Sequence, residues 1–183
     1  MSKESVFEGP SVSLDNMLQA REARSFRQQM LMEKYPQASL LCATMNIPGP
    51  VKTSEKLGQA FDSMIDLIKE ELSDKIIFDK KITPKTGWEY YMMSSLPPLE
   101  LKKMLMTIEE ASDLGRLMDL DVLRKVETGL LSPISRTELN KAPRQCLICS
   151  ETAKECGRSR KHSIEQMQAV ISKIIDQALD DNH

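Results

Sequence analysis

Two aspartates one residue apart, Asp119 and Asp121, are the pair whose spacing most directly indicates chemistry. They lie in a segment that reads as a β-strand over 116–123, and side chains two apart on a strand share a face, about 7 Å apart at Cα. Leu120 and Val122 then point into the core. Two such carboxylates can hold Mg²⁺, which prefers oxygen ligands and completes its shell with water and substrate phosphates. The simpler alternative is a half-exposed strand with two solvated acids.

A cluster of soft ligands follows in the C-terminal third of the chain. Cys146 and Cys149 form a C-x2-C pair, six residues separate Cys149 from Cys156, and five separate Cys156 from His162. Four such ligands suit tetrahedral Zn²⁺, and residues 143–183 would then form a small Cys/His knuckle followed by a helix.

Two alternatives to zinc stay open for this cluster. A helix from Cys146 would place Cys149 and Cys156, seven residues apart, on one face as buried reduced thiols. The C-x-x-C pair could instead be a redox pair, although no thioredoxin-like βαβ pattern surrounds it.

Candidate anion-binding cations occur at Lys52 and in a cluster after the acidic strand. Lys52 follows Pro-Gly-Pro and precedes a helix N-terminus, where anions bind favourably. Arginine forks match phosphate oxygens in pairs, so the cations after the acidic strand suit a polyphosphate, although each could equally belong to a solvated surface. These later cations are Arg136, Arg144, Arg158, Arg160 and Lys161.

Three arginines near the N-terminus, Arg21, Arg24 and Arg27, are three residues apart and lie roughly on one helix face. That face could present a basic stripe to an acidic carrier protein, or it could be an ordinary face that contacts only water.

Bulk composition restricts the classes of function. A chain of 183 residues with 40% apolar content fits a single domain over 1–183. The net charge of −2 argues against general nucleic-acid binding, so a local cluster must hold any anionic ligand. No window approaches the ~18 apolar residues of a membrane span, and the first residues lack the apolar run of a signal peptide. We therefore expect a cytoplasmic protein with reduced thiols and no membrane partner.

Apolar periodicity and breakers predict the elements that must position these residues. Helices and strands interleave without strict βα alternation, which predicts an α+β fold: one mixed or mainly antiparallel sheet packed by about four to five helices. Expected helices run from Ser13 to about Lys34, from Thr53 or Ser54, from Pro97-Pro98, and from a capping box at 163–166. Expected strands cover 38–45, 76–81, 88–93, 116–123 and a short stretch near 130–135.

Taken together, these motifs resemble the citrate lyase holo-acyl-carrier-protein synthases, the apo-citrate lyase phosphoribosyl-dephospho-CoA transferases. The motifs occur in family order over nearly the whole chain, and as a set they are specific. They are Arg21-Glu22-Ala23-Arg24, Pro48-Gly49-Pro50-Val51-Lys52 with Ser54, Leu114-Gly115-Arg116-Leu117 with Asp119-x-Asp121-Val122, Ile134-Ser135-Arg136, and the run from Pro143-Arg144 through Cys146, Cys149 and Cys156 to His162.

The resemblance implies a nucleotidyltransferase-type reaction. A serine of the citrate lyase acyl carrier protein would attack the α-phosphate of triphosphoribosyl-dephospho-CoA, forming a phosphodiester and releasing pyrophosphate. Asp119 and Asp121 would hold Mg²⁺, and Asp113 or the metal-bound Asp121 would accept the serine proton. The residues expected to bind substrate phosphates are Arg116, Arg136, Arg144 and Lys52.

One position departs from the family pattern. The family carries His-Pro immediately before Leu-Gly-Arg, whereas this chain has Ser112-Asp113, so an obligatory histidine base would have to be replaced by Asp113. Two rival functions remain: the same chemistry on the carrier protein of malonate decarboxylase, and a non-catalytic carrier-protein adaptor built around a zinc knuckle.

Overall fold

The computed structural model describes residues 5–181 and joins five strands in one sheet, in the order β2-β3-β1-β4-β5. Each neighbouring pair of strands is antiparallel. The strands are β1 (Ser39–Met45), β2 (Ile76–Ile82), β3 (Glu89–Ser94), β4 (Met118–Lys125) and β5 (Leu131–Pro133). The predicted α+β class with a mainly antiparallel sheet is confirmed.

Five α-helices occur within the described residues, and serine caps define three of their starts. Ser13, Ser54 and Ser163 each accept a hydrogen bond from the backbone N–H three residues later, which satisfies an otherwise unpaired donor. The predicted starts of the first, second and last helices are thereby confirmed. The helices are α1 (Leu14–Lys34), α2 (Glu55–Leu72), α3 (Pro98–Glu110), α4 (Ala153–Ser159) and α5 (Ile164–Asp180).

Alternation along β4 divides the sheet into two different faces. Leu120 and Val122 are buried in the main core, which α2, α3 and α5 cover. Asp119 and Asp121 project to the other face, opposite Thr44 and Cys42 of β1 in register. α1 covers part of that face with a smaller apolar cluster that includes Met32, Leu40 and Tyr91. The shared face predicted for the two aspartates is therefore confirmed.

The strand predicted over 116–123 begins two residues later, at Met118. Residues Gly115–Leu117 form a 3-10 turn that connects α3 to β4. A Cβ at Gly115 would lie 2.7 Å from the carbonyl oxygens of Ile108 and Glu109, so the tight return from α3 requires glycine. The turn leaves the side-chain alternation of Asp119 and Asp121 unchanged.

The alternative of one helix starting at Cys146 is wrong. Backbone hydrogen bonds from Cys146 N to Glu151 O and from Ala153 N to Arg144 O, both 2.8 Å, close a hairpin-like loop over 144–153. α4 starts only at Ala153, so Cys149 lies outside it.

Within residues 5–181, no helix is both long enough and apolar enough to cross a membrane.

Candidate active site and Cys/His cluster

Asp119 and Asp121 lie side by side on β4, but their surroundings differ. Nη1 of Arg144 donates to Oδ1 of Asp119 at 3.1 Å. Asp121 is exposed, and no residue in the described part of the chain places a hydrogen-bond donor on its carboxylate. The pair therefore offers one half-engaged and one open carboxylate on the same surface.

Both aspartates sit where a negative charge is disfavoured. Burial raises the pKa of Asp119, and repulsion from Asp121 and Glu109 adds to the rise, whereas the charge of Arg144 opposes it. The surrounding protein likewise raises the pKa of Asp121 by withdrawing water, although Lys102 opposes this effect. Repulsion among these carboxylates is the kind of electrostatic environment that a bound cation relieves.

Two charged residues of α3, Lys102 and Glu109, bind the edge of β4 at Leu120, where the short strand β5 does not reach. The Lys102 ammonium donates to Leu120 O at 2.7 Å, and Glu109 accepts from Leu120 N at 3.1 Å. Both side chains are buried, at 5% and 2% exposure. They satisfy backbone groups that a neighbouring strand would otherwise pair, and they fix β4 at Leu120, between the two aspartates.

Neither Lys102 nor Glu109 was expected at the site from the sequence. Their signal was nevertheless present, because Lys102 and Glu109 are seven residues apart and flank the apolar stripe through Leu101, Leu105 and Ile108. That period places both charges on the buried side of α3.

Glu109 also holds two of the predicted phosphate-binding arginines. Its carboxylate accepts from Arg144 Nη2 at 2.5 Å and from Arg136 Nη2 at 2.6 Å, while Arg136 Nη1 contacts Glu110 at 2.7 Å. These two arginines and Arg116 line one open groove of about 400 Å³, which we call the three-arginine groove. The structure thus brings Arg116, Arg136 and Arg144 together, with the last two already engaged by carboxylates.

A second concave surface, which Asp119 does line, opens between α1, the end of β1 and the start of α2. We call it the Arg21–Lys52 cleft; it measures about 200 Å³ and is lined in part by Arg21, Arg24, Lys52, Trp88 and Asp119. The Lys52 ammonium donates to the carbonyl of Ile47. Burial lowers the pKa of Lys52, and the nearby Arg21 charge lowers it further. Within residues 5–181, no carboxylate pairs with Arg21.

The wall of this cleft is aromatic. Trp88 packs edge-on against Phe61, with ring centroids 6.2 Å apart, and a Cβ on Gly58 would lie 2.3 Å from the indole. The glycine therefore lets α2 contact the Trp88 ring directly. Cations beside an aromatic wall can bind a ligand that combines phosphates with a flat ring.

The three N-terminal arginines do not form a uniform basic stripe. Arg24 and Arg27 reach across to the fully buried Glu89 of β3, at 3.1 and 2.9 Å, and Arg27 also donates to Tyr91. These pairs anchor α1 on the sheet. Arg21 is the one that faces the Arg21–Lys52 cleft without such a partner in the described chain.

Asp113 lies apart from the paired aspartates. Its side chain is 74% exposed in the loop after α3, and its nearest cation is Arg116, at 4.0 Å. It lines neither the Arg21–Lys52 cleft nor the three-arginine groove. Arg116 in turn donates to the carbonyl of Cys146 at 3.2 Å, which connects the groove to the C-terminal cluster.

The four predicted soft ligands do converge. One ligand atom from each of Cys146, Cys149, Cys156 and His162 lies within 4.8 Å of every other, so the group could hold a metal ion. All four cysteines of the chain are free thiols.

Comparison with known proteins was consistent with the geometry. The family model described as apo-citrate lyase phosphoribosyl-dephospho-CoA transferase matches residues 12–178. The chain belongs to this family. A probable apo-citrate lyase phosphoribosyl-dephospho-CoA transferase of Streptococcus pyogenes serotype M5 (strain Manfredo) is 52% identical over 176 residues, covering 96% of this chain and 91% of the relative.

Two further relatives have different lengths. A protein of the same probable name from Vibrio cholerae serotype O1 (strain M66-2) is 37% identical, over 90% of this chain and 92% of its own. Protein CitXG of Haemophilus influenzae is also 37% identical over 96% of this chain, but that match covers only 36% of the longer relative. The family therefore occurs both as a chain of this size and as part of a larger protein.

Proposed function

We propose that this protein transfers the phosphoribosyl-dephospho-CoA group from triphosphoribosyl-dephospho-CoA to a serine of the citrate lyase acyl carrier protein. The serine oxygen attacks the α-phosphorus, the bond from that phosphorus to the pyrophosphate oxygen breaks, and a phosphodiester forms. Pyrophosphate leaves, and the serine proton passes to a base. The named relatives support the general activity, and the arrangement of charges around Asp119 supports this reaction.

One observation carries the proposal: Asp119 of the paired aspartates lies at the Arg21–Lys52 cleft and is held by Arg144 of the three-arginine groove. A triphosphate carries several negative charges, so nearby cations favour its binding and stabilise the charge that develops during transfer. Arg21 and Lys52 supply cations in the Arg21–Lys52 cleft, and Arg116, Arg136 and Arg144 supply them in the three-arginine groove.

The two aspartates fit a hard cation. Their oxygens face one surface, Asp121 accepts no hydrogen bond from the described chain, and the withdrawal of water by the surrounding protein raises the pKa of both carboxyls, with repulsion from Glu109 adding to each rise. Asp119 and Asp121 would hold Mg²⁺, which neutralises charge on phosphate oxygens and on departing pyrophosphate.

Each remaining side chain has a role that follows from its position. Trp88 and the cations of the Arg21–Lys52 cleft bind the nucleotide end of the donor. Arg144, beside Asp119, orients the phosphates with its fork, supported by Arg136 and Arg116. Asp121 is better placed than Asp113 to accept the serine proton, since it shares the open surface with Asp119 and Asp113 does not.

The test is incubation with apo-carrier protein, triphosphoribosyl-dephospho-CoA and Mg²⁺, followed by intact mass of the carrier and measurement of pyrophosphate. We expect a mass gain equal to the transferred group and one pyrophosphate per modified carrier. Asp119→Asn and Asp121→Asn each lose a charged oxygen ligand. A loss of about 3–5 kcal/mol at the transition state corresponds to a rate roughly 10²–10⁴-fold lower.

Asp66→Asn is the matched control, because Asp66 is an exposed aspartate of α2 that lines neither concave surface. It should retain the wild-type rate and Mg²⁺ dependence. Wild-type rates in both β4 variants would rule out the metal site. Absence of pyrophosphate would favour the adaptor, and faster modification of the malonate decarboxylase carrier would redirect the proposal to that substrate.

The single tryptophan of the chain, Trp88, gives an independent binding assay. Dephospho-CoA should change its fluorescence in a saturable manner, and Lys52→Met should weaken that binding. A titration without any fluorescence change would show that the nucleotide does not bind in the Arg21–Lys52 cleft. The carrier modification assay would still test the reaction itself.

A further inference from the structure

The segment over 141–163 lacks a hydrophobic core of its own. Its only buried residues are Cys146 and Cys156, and its helix, α4, has just seven residues. Helices this short are marginal in water without tertiary support, and a small unit with so little apolar burial usually needs a disulfide or a metal. The four free thiols exclude the first solution in this structure.

The distances inside the Cys/His cluster match a metal centre. Cys149 Sγ lies 3.4 Å from Cys156 Sγ and 3.3 Å from His162 Nε2, and Cys156 Sγ lies 3.8 Å from His162 Nε2. Tetrahedral zinc with bonds of about 2.3 Å to sulfur and about 2.05 Å to nitrogen sets ligand atoms roughly 3.6–3.8 Å apart. Cys149, Cys156 and His162 therefore need only small adjustments to share one ion, and the ligand atom of Cys146 lies within 4.8 Å of all three.

The surroundings are also those of a zinc knuckle. The backbone N–H of Ile148 donates to Cys146 Sγ at 3.4 Å, which stabilises a thiolate ligand. Three thiolates and a neutral imidazole leave the loaded site with a formal charge of about −1. Arg160 lines the same cavity as Cys156 and His162 and can compensate that charge.

We propose that Cys146, Cys149, Cys156 and His162 bind one structural Zn²⁺. Four protein ligands fill the tetrahedron and leave no open position for catalysis. The ion joins the 144–153 loop, α4 and the residue before the cap of α5, and α5 packs on the core through Ile171 and Ile175. It thereby fastens Arg144, at the base of the loop, beside Asp119. The assignment does not depend on the proposed reaction.

Metal analysis of full-length protein purified without chelator tests the site directly. We expect close to one zinc per chain, and Co²⁺ substitution should give the charge-transfer absorption of thiolate ligands. Cys149→Ser should lower the zinc content at least several-fold. Cys42→Ser is the matched control and should keep its zinc, since Cys42 is buried on β1, outside the cluster.

Limited trypsin digestion gives a readout separate from activity. Removal of zinc by a chelator should make the bonds after Lys154, Arg158, Arg160 and Lys161 cleavable at least tenfold faster, while the far-ultraviolet circular dichroism of the sheet domain persists. Protein that contains no zinc, gives no cobalt–thiolate bands and shows unchanged cleavage with chelator would overturn the proposal. A disulfide between any two of the three cluster cysteines in metal-free, folded protein would overturn it, and a Cys146–Cys149 bond would favour the redox interpretation.

Discussion

Replacement of Glu109 by glutamine should destabilise the fold far more than the same change at Glu110. Glu109 is 2% exposed and accepts from Arg136, Arg144 and the backbone of Leu120. The substitution keeps the side-chain shape but removes the negative charge. It also replaces one accepting oxygen by an NH₂ group, which faces the N–H donors that the carboxylate had bound. Buried Lys102 also loses the charge that favours its protonated form.

The magnitude follows from what remains unpaired. Removing one partner of a buried ion pair costs about 3–5 kcal/mol, because an uncompensated charge stays behind. Arg136 and Arg144 are 16% and 27% exposed and can regain some water, so we expect about 3 kcal/mol for Glu109→Gln. Glu110 is 53% exposed and contacts only the other end of Arg136, so Glu110→Gln should cost about 0–1 kcal/mol.

Urea denaturation followed by circular dichroism measures both values. Thermal unfolding gives a second measurement. For a chain of this size a loss of about 3 kcal/mol in Glu109→Gln lowers the melting temperature by roughly 6–12 °C, against at most about 4 °C for Glu110→Gln. Equal, small losses in the two variants would refute the idea that Glu109 compensates a buried cluster of cations. Loss of zinc from Glu109→Gln would instead show that the C-terminal segment had been disturbed as well.

Three other outcomes are expected. Asp121 has a raised pKa in the folded protein, so its contribution to the free energy of unfolding declines as pH rises through that pKa. Asp121→Asn should therefore melt no lower than wild type near pH 7. Any gain in melting temperature should become smaller as pH falls towards the unfolded aspartate pKa of about 3.9. A lower melting temperature at pH 7 would contradict this. Arg144→Lys keeps the charge but loses the guanidinium fork, so kcat/KM for triphosphoribosyl-dephospho-CoA should fall at least tenfold. Arg158→Lys, at an exposed helix position, should leave that value unchanged. Equal values for the two variants would show that Arg144 has only a structural role. Gly58→Ala forces the Trp88 indole to move and should shift its emission and weaken dephospho-CoA binding, whereas unaltered emission and affinity would show that the close packing is not needed.

Local signals predicted most of the fold. Serine caps and proline breaks defined the ends of α1, α2 and α5, because unsatisfied backbone groups at helix ends must find a partner nearby in sequence. The start of β4 was misplaced by two residues, because the 3-10 turn at Gly115 depends on the close approach of α3, which is not a local property. The types and spacing of the Cys/His ligands indicated a zinc cluster as one of three interpretations, and the structure brings the four residues together. The helical alternative is wrong because hydrogen bonds within the 144–153 loop pair its backbone before α4 begins.

The placement of Asp119 and Asp121 on one face followed from their spacing in the chain, since side chains alternate along a strand. The family followed likewise from motifs that survive in order along the chain. The identity of the neighbouring charges, in contrast, depends on how the helices pack on the sheet. Glu109, far from Arg136 and Arg144 in the chain, binds both, and Glu89 binds Arg24 across the sheet. Ion pairing depends on distances in space, which follow from how α1 and α3 pack on the sheet and not from the order of residues.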